Sequence, residues 1–356
     1  MSMSMDSTPN GFKTHCKARR TRTVIFILAV LVFLWHFGHF LVKFGHSSTE
    51  KKFESKFELP MKFAQNLNTP QHIGGRIVKN PTSLLLQRKR KEAVIFFVKS
   101  SPENSARRQM IRNTWGSIKQ VAGKQIFLVF LIGKPLDKVH NDDLRKEKLC
   151  FDDILQTADS DTHPNLVIKT LSAIRWIVQN LYHPRSFYIF TNDNCVVHIG
   201  STVKFLKTLT GASKDLMYCG FKYEKNSGVI RGGKWGVHWS QYPATTYPDF
   251  CRGVMVILSP TVVAQIYKVA MMTALQGFPL EDVMVYGILR HKINNSSSNI
   301  QPVINGGHPL VFYPWDATNA VVGKMERKWN EWRLELRDFK LREESQALNN
   351  KQCSSL

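Results

Sequence analysis

Acidic residues are the scarce class in this chain: 27 Asp plus Glu stand against 49 Lys plus Arg, a formal charge of +22 over 356 residues. Such an excess raises nucleic acid as a partner, but its distribution argues against that. Residues 1–92 carry 16 basic and 5 acidic side chains, whereas residues 93–356 carry 33 and 22. Half of the excess therefore lies ahead of the region expected to fold. The remainder suits an anionic ligand such as a nucleotide diphosphate, or an acidic membrane surface. Zinc-finger spacing and RNP-like aromatic motifs are both missing, so no nucleic-acid partner is expected. Cysteine is sparse as well, six in all, and too scattered for a structural zinc site. Internal repeats and low-complexity tracts are absent. What is plentiful is apolar sequence, 43% of the chain, enough for a substantial core and too much for global disorder.

Residues 24–42 hold no formally charged side chain over 19 positions, about the length that crosses a bilayer as a helix. Lys13, Lys17, Arg19, Arg20 and Arg22 precede the run, which by the positive-inside rule places the N-terminus in the cytoplasm. A cleaved signal peptide is one rival, with Gly45 and Ser47 as small cleavage-site residues. A buried core helix is the other, and His36 and His39 weaken the span a little. The expected organisation is a cytoplasmic tail (1–23), a transmembrane signal anchor (24–42) and a charged, proline-punctuated stem (43–92). A folded domain (93–320) and a C-terminal helical tail (321–356) follow, all lumenal. In that compartment Cys150, Cys195, Cys219, Cys251 and Cys353 permit two disulfides and leave one cysteine over, with the pairing open.

Residues 93–98 and 126–132 are continuous apolar runs of strand length. Ser101 and Asn104 offer caps to a helix over 105–115. Leu171, Ile174, Val178 and Leu181 recur at spacings of three and four, which predicts an amphipathic helix over 165–181. A third apolar run starts at Phe187 and ends in the triplet Asn192-Asp193-Asn194. Residues 216–220 and 254–259 add strand candidates, Pro260 fits the first turn of a helix, and Glu281-Asp282-Val283 opens another. Asn294 and Asn295 are overlapping N-glycosylation acceptors that call for a lumenal loop. Trp329 and Trp332 offer anchors for the charged tail. Strands alternating with helices predict an α/β fold: a mixed, largely parallel sheet flanked by helices and preceded by one transmembrane helix. Ligands of such folds bind at the carboxyl ends of the strands, where the triplet stands. An acidic residue there can carry a divalent metal and, through it, a diphosphate. Taken alone, the triplet reads first as a polar turn.

Four segments in order carry a family resemblance. Arg107-Arg-Gln-Met-Ile-Arg-Asn-Thr-Trp-Gly116 resembles the R-x-x-I-R-x-T-W-G signature of the Golgi β-1,3-galactosyltransferases and β-1,3-N-acetylglucosaminyltransferases. Phe130-Leu-Ile-Gly133 is similar to that family's second strand. Asp153-Ile-Leu, then Asp161-Thr-His-Pro-Asn-Leu-Val-Ile-Lys-Thr170 with Trp176, resembles its D-I-L and D-S-Y-x-N-L-T-x-K-T pattern. Tyr247-Pro-Asp-Phe-Cys-Arg-Gly253, Leu258-Ser259 and Glu281-Asp282-Val283 resemble Y-P-x-Y-x-x-G, L-S and E-D-V. The likeness spans roughly residues 93–290.

That resemblance implies a GT-A-like domain behind a type II Golgi membrane anchor. It implies an inverting transfer of a hexose or N-acetylhexosamine from a UDP-sugar donor to a glycan acceptor on a glycoprotein or glycolipid, in β-1,3 linkage. A single displacement needs a base for the acceptor hydroxyl and positive charge for the departing UDP. By motif position Asp282 is the catalytic base, with Glu281 as second choice; the bland alternative is a helix-end pair of carboxylates. Arg108 and Arg112 share a helical face and are candidates for the diphosphate, or else form a solvated basic face. Lys169, Asn192 and Asp193 complete the expected donor site, and Trp115 is expected in the core. Asp193, Asn194 and His308 are the candidate manganese ligands. Here the chain departs from the family, which usually has three consecutive aspartates: an Asn194 amide brings no negative charge, so Mn2+ affinity should fall. A catalytically weak or inactive relative that binds glycans or acts as a chaperone is the alternative, and a membrane-anchored receptor a third.

Overall fold

The segment from Ala93 to Lys99 has every side chain buried, and the sheet is laid out from it. The computed structural model describes residues 73–87, 92–209, 215–273, 277–296, 302–304, 310–314, 320–336 and 341–343. In chain order the first elements are β1 (Ile77–Lys79), α1 (Thr82–Gln87), β2 (Ala93–Lys99), α2 (Ser105–Asn113), β3 (Ile118–Val121) and β4 (Lys124–Lys134). Then come α3 (Lys138–Cys150), β5 (Ile154–Ser160), α4 (Leu166–Trp176), β6 (Phe187–Asn192), β7 (Val196–Val197) and α5 (Ile199–Leu209). Next are β8 (Met217–Cys219), β9 (Tyr223–Glu224), β10 (Phe250–Cys251), β11 (Met255–Leu258) and α6 (Pro260–Met271). The described chain ends with α7 (Glu281–Val283), α8 (Arg290–Ser296), β12 (Pro302–Ile304), β13 (Val311–Phe312), α9 (Val321–Glu335) and β14 (Leu341–Glu343).

The central strands β5-β4-β2-β6 are all parallel. This is the arrangement predicted from apolar runs alternating with helices, since parallel neighbours need a crossover. The flanks depart from it. β11 runs antiparallel between β6 and β8, and β1 pairs antiparallel with β5. The sheet is thus mixed: β1 and β11 run against the parallel centre, while β8 and β12, beyond β11, run with it. Phe96 and Phe97 show why β2 is central: one packs on Trp115 and the other on Phe190 and Trp176, so both faces of the strand are covered. Ser259 accepts from the Val262 amide as the N-cap of α6, with Pro260 in the first turn as expected.

Three observations bear on the organisation expected from the sequence. Order begins ahead of residue 93, because Ile73 and Leu84 are buried and Gly75 donates to Ser172 Oγ. The Asp152 carboxylate accepts from the Thr82 and Ser83 amides, which holds α1. Too few apolar residues do this work for local composition to reveal it. Trp329 and Trp332 of α9 belong to the same buried cluster as the sheet, which is the anchoring expected of the C-terminal tail. Asn294 and Asn295 lie in the last turn of α8 rather than in a loop. Cys219 and Cys251 form a disulfide, Cys150 is also disulfide-bonded, and Cys195 is a free buried thiol whose pKa burial pushes up to about 12. Among the described residues no helix is long and apolar enough to cross a membrane. Residues 24–42 lie outside the described part.

Candidate functional site

A cleft of about 720 Å³ opens at the carboxyl ends of β2 and β6. Lys99 and Asn192 are the last residues of those strands and sit in register, so both chains enter the same turn region together. Asp193 N donates to Lys99 O at 3.0 Å, which fixes the triplet against the end of β2. The other walls come from the start of α2, the segment leading into α4, the 252–254 strand entry, and α7.

The Asp193 carboxylate is buried and fully engaged. Oδ2 accepts from Ser100 Oγ at 2.8 Å and from Asn104 Nδ2 at 2.9 Å, and Oδ1 accepts from Arg107 Nη1 at 3.3 Å. Asn104 occupies the N-cap position of α2 but makes no capping bond with its side chain, having been drawn to Asp193 instead. Across the cleft Lys99 Nζ donates to Gly253 O at 2.7 Å and pairs with Glu281 Oε2 at 3.0 Å. Glu281 Oε1 accepts from Thr170 Oγ1 at 3.0 Å. Gly253 has to be glycine for this packing, because a Cβ there would lie 2.6 Å from Glu281 Oε2. Lys169 Nζ reaches Asp161 at 3.0 Å and Ser100 O at 2.8 Å, and burial holds its pKa below the usual lysine value despite Asp161.

Asp282 is the exception. Its Oδ1 accepts only the next amide, Val283 N, at 2.9 Å, and it forms no ion pair among the described residues. Burial, and then the neighbouring Glu281 charge, raise its pKa above the ordinary carboxylate value. Of the two candidate bases, Glu281 is thus a tethered structural anion and Asp282 a cleft-facing carboxylate with a raised proton affinity. A carboxylate facing the cleft with raised proton affinity is the better placed of the two to take a proton from a bound hydroxyl.

Lys169, Asn192, Asp193, Asn194, Glu281 and Asp282 all line this cleft, as the sequence reading placed them. Arg108 and Arg112 do not. They do share a face of α2, but it is buried against α3 and the start of β5. Arg108 forms a two-pronged pair with Glu147 at 2.8 and 2.6 Å, and Arg112 pairs with Glu147 at 2.7 Å and with Asp153 at 2.7 and 2.8 Å. Neither a diphosphate site nor a solvated face describes them. Arg107, one residue earlier, is the arginine of α2 that lines the cleft. Trp115 is in the core as expected, donating to Cys195 O at 3.1 Å. Lys99, Asn104, Arg107 and Thr170 were not anticipated. A lysine ending an otherwise apolar buried strand was the one available signal.

The expected manganese does not suit the residues present. His308 lies outside the described residues, and among those described no three His, Cys, Asp or Glu side chains gather as a metal-holding group. Asn192 and Asn194 offer neutral amide oxygens, and Asp193, the one carboxylate of the triplet, already balances Arg107. A hard divalent ion needs several oxygens and more than one negative charge.

A cleft that sets paired cations and the buried, unpaired Asp282 carboxylate beside parallel strand ends lies where α/β folds take their ligands. The galactosyltransferase family pattern matches residues 106–301, more than half of the chain. The chain belongs to that family. It is 32% identical over 210 residues to lactosylceramide 1,3-N-acetyl-beta-D-glucosaminyltransferase of Xenopus tropicalis, covering 56% of this chain and 54% of that protein. Beta-1,3-galactosyltransferase 1 of Mus musculus is 32% identical over 213 residues, covering 58% and 64%. Beta-1,3-galactosyltransferase bre-5 of Caenorhabditis elegans is 27% identical over 238 residues, covering 66% and 72%. The chain therefore spans between about half and three quarters of these curated relatives. Among solved structures, the WbbM bifunctional glycosyltransferase aligns with 58% of this chain and 37% of that one, at 12% identity and a TM-score of 0.28.

Proposed function

We propose that this chain is an inverting glycosyltransferase with a GT-A-type domain. It moves a hexose or N-acetylhexosamine from a UDP-sugar to a glycan hydroxyl, in β-1,3 linkage, on a glycoprotein or glycolipid. The observation that carries the reading is Asp282: a carboxylate without an ion-pair partner among the described residues and with a raised pKa, held in a cleft whose other buried acids, Asp161, Asp193 and Glu281, are each tied to a cation. Asp282 takes the proton of the acceptor hydroxyl, whose oxygen attacks the anomeric carbon from the side opposite the diphosphate. The bond from that carbon to the phosphate oxygen breaks, and UDP leaves with the electron pair. Cationic side chains of the cleft hold the charge that develops on it. The Lys99–Glu281–Thr170 bonds keep α7, and with it Asp282, against the end of β2. Trp235 exposes its indole at the same cleft and offers an apolar face to a sugar ring. No step passes through manganese, because the donor set does not suit it.

Family membership supports glycosyl transfer, and the relatives' names supply the β-1,3 linkage and the choice of hexoses. The test is to incubate the full chain with a panel of UDP-sugars and glycan acceptors and to score UDP release. Release with at least one sugar that rises on adding acceptor is the expected outcome. Silence with every donor would favour the second reading, a glycan-binding or chaperone-like relative, which the neutral Asn194 also favours. The membrane setting is proposed on sequence grounds: a single-pass type II anchor at residues 24–42 with the domain in the Golgi lumen. Protease added to intact vesicles should then leave residues 44–356 uncut.

A further inference from the structure

We propose that this cleft binds the diphosphate of its donor without a divalent cation, and that the Arg107 guanidinium supplies the positive charge. The inference rests on the reading of the cleft as a nucleotide-sugar site. It starts from the disagreement between the triplet and a metal. Asn192 and Asn194 bring no charge, and both oxygens of Asp193 are spoken for by three donors. One of those donors is locked from behind, since Ser100 Oγ itself accepts from Arg108 Nη1 at 3.0 Å, and Arg108 is fixed by Glu147. To serve a metal, Asp193 would have to release Arg107 and bring a dication beside that guanidinium, with one carboxylate to offset three positive charges.

Arg107 is placed to do what the metal is otherwise needed for. Its side chain is 23% exposed, lines the cleft, and touches Asp193 through Nη1 alone. A guanidinium carries five N–H donors in a planar fork that matches phosphate oxygens two at a time. Among the described residues the other four have no protein acceptor. The remaining cleft cations are differently committed. Lys99 is bound by Glu281 and Gly253 O and Lys169 by Asp161 and Ser100 O, whereas Arg252 meets Glu224 at 2.6 Å through Nε alone and keeps its other donors at the strand-entry wall. Lys234 lies 4.9 Å from the Trp235 ring centroid and has no carboxylate partner among the described residues. Arg107 and Lys234 are thus cleft cations with donors left over for the oxygens of a diphosphate. Asp193 then acts as a positioning residue that orients Arg107.

The experiment is calorimetric titration of the full chain with UDP, in EDTA and again in manganese. The wild type should bind UDP with the same affinity in both, within about twofold. Arg107→Met should weaken UDP roughly 10-fold or more in EDTA, the loss of charge-assisted phosphate bonds, and Arg107→Lys should recover part of it. Because Arg107→Met leaves Asp193 without its cation, a second variant is read independently: Asn192→Asp with Asn194→Asp should acquire manganese-dependent UDP binding that the wild type lacks. Binding of UDP by the wild type only in manganese overturns the proposal and leaves the transferase reading standing. An unchanged affinity in Arg107→Met overturns it too. No binding of UDP under either condition removes the nucleotide-sugar reading itself, and this inference with it.

Discussion

Two clusters of charge share α2, and they are built to opposite ends. On one side Arg108 and Arg112 meet Glu147 and Asp153 in a network where every charge has a partner at 2.6–2.8 Å. Both guanidinium groups are also covered, Arg112 stacking 3.9 Å above Phe151. On the other side Arg107 faces the cleft, where the buried Asp161, Asp193 and Glu281 are paired, while Asp282 and the exposed Glu103 have no ion-pair partner among the described residues. Burial alone does not separate the two, since Glu147 and Glu281 are about equally inaccessible. Completeness does. The first cluster satisfies itself and holds α2 against α3 and β5. The second leaves the buried Asp282 carboxylate and most of the Arg107 guanidinium unanswered, as a site for another molecule requires.

The largest effect expected from this contrast is on stability. Glu147→Gln removes the carboxylate that answers both Arg108 and Arg112, leaving buried positive charge uncompensated. Breaking one partner of such a network costs about 3–5 kcal/mol, which for a domain of this size lowers the melting temperature by roughly 10 °C. A loss under 1 kcal/mol by chemical denaturation would show that these arginines find another anion, and the contrast would fail. Asp282→Asn makes the same chemical change in the incomplete cluster. There turnover should fall by about 10²-fold or more while UDP affinity stays near the wild-type value. Near-normal turnover would move the base elsewhere in the cleft.

The pH profile sharpens the assignment with a smaller effect. A base must be ionised, so kcat/KM should fall as pH drops through the raised pKa of Asp282. The Glu281 charge pushes that pKa up and the Lys99 charge pulls it down. Lys99→Met should therefore move the acidic limb to higher pH, and Glu281→Gln should move it lower. Shifts in the opposite sense would mean that the limb reports a different group.

Much of this was legible in the chain itself. The buried runs at 93–98 and 126–132 lie inside β2 and β4, and the triplet does follow β6, because continuous apolarity over strand length has few other uses. The Glu281–Asp282 pair also reached the cleft. What the sequence could not disclose was partnership across long separations. Spacing correctly put Arg108 and Arg112 on one face of α2, but Glu147 is 39 residues from Arg108, and nothing local says that the face closes on it. For the same reason Arg107 was passed over, though it is the one arginine of the three that looks into the cleft. The early start at Ile73 escaped notice because it depends on Asp152 and Ser172, far along the chain.

The smallest predicted effect has the opposite sign to the largest. Glu147 has its pKa lowered in the fold: burial opposes ionisation, but Arg108 and Arg112 outweigh it. Its contribution to stability is therefore present above its ordinary pKa of 4.5 and is lost as pH falls through the depressed value. Asp282 is the reverse. With its pKa raised, the folded chain holds a proton more tightly than the unfolded chain, so the ionised group is a burden on the fold at neutral pH. That burden is full above the raised value and vanishes only as pH falls below the ordinary 3.8, where both states become protonated. Asp282→Asn lifts it without changing size. The variant that loses turnover should thus melt slightly above wild type at pH 7, a rise small beside the Glu147→Gln loss, and should melt with wild type below about pH 4. Such an exchange of stability for function is expected of a carboxylate kept unpaired for chemistry. A variant less stable than wild type at pH 7 would mean that Asp282, like Glu147, has a partner in the fold.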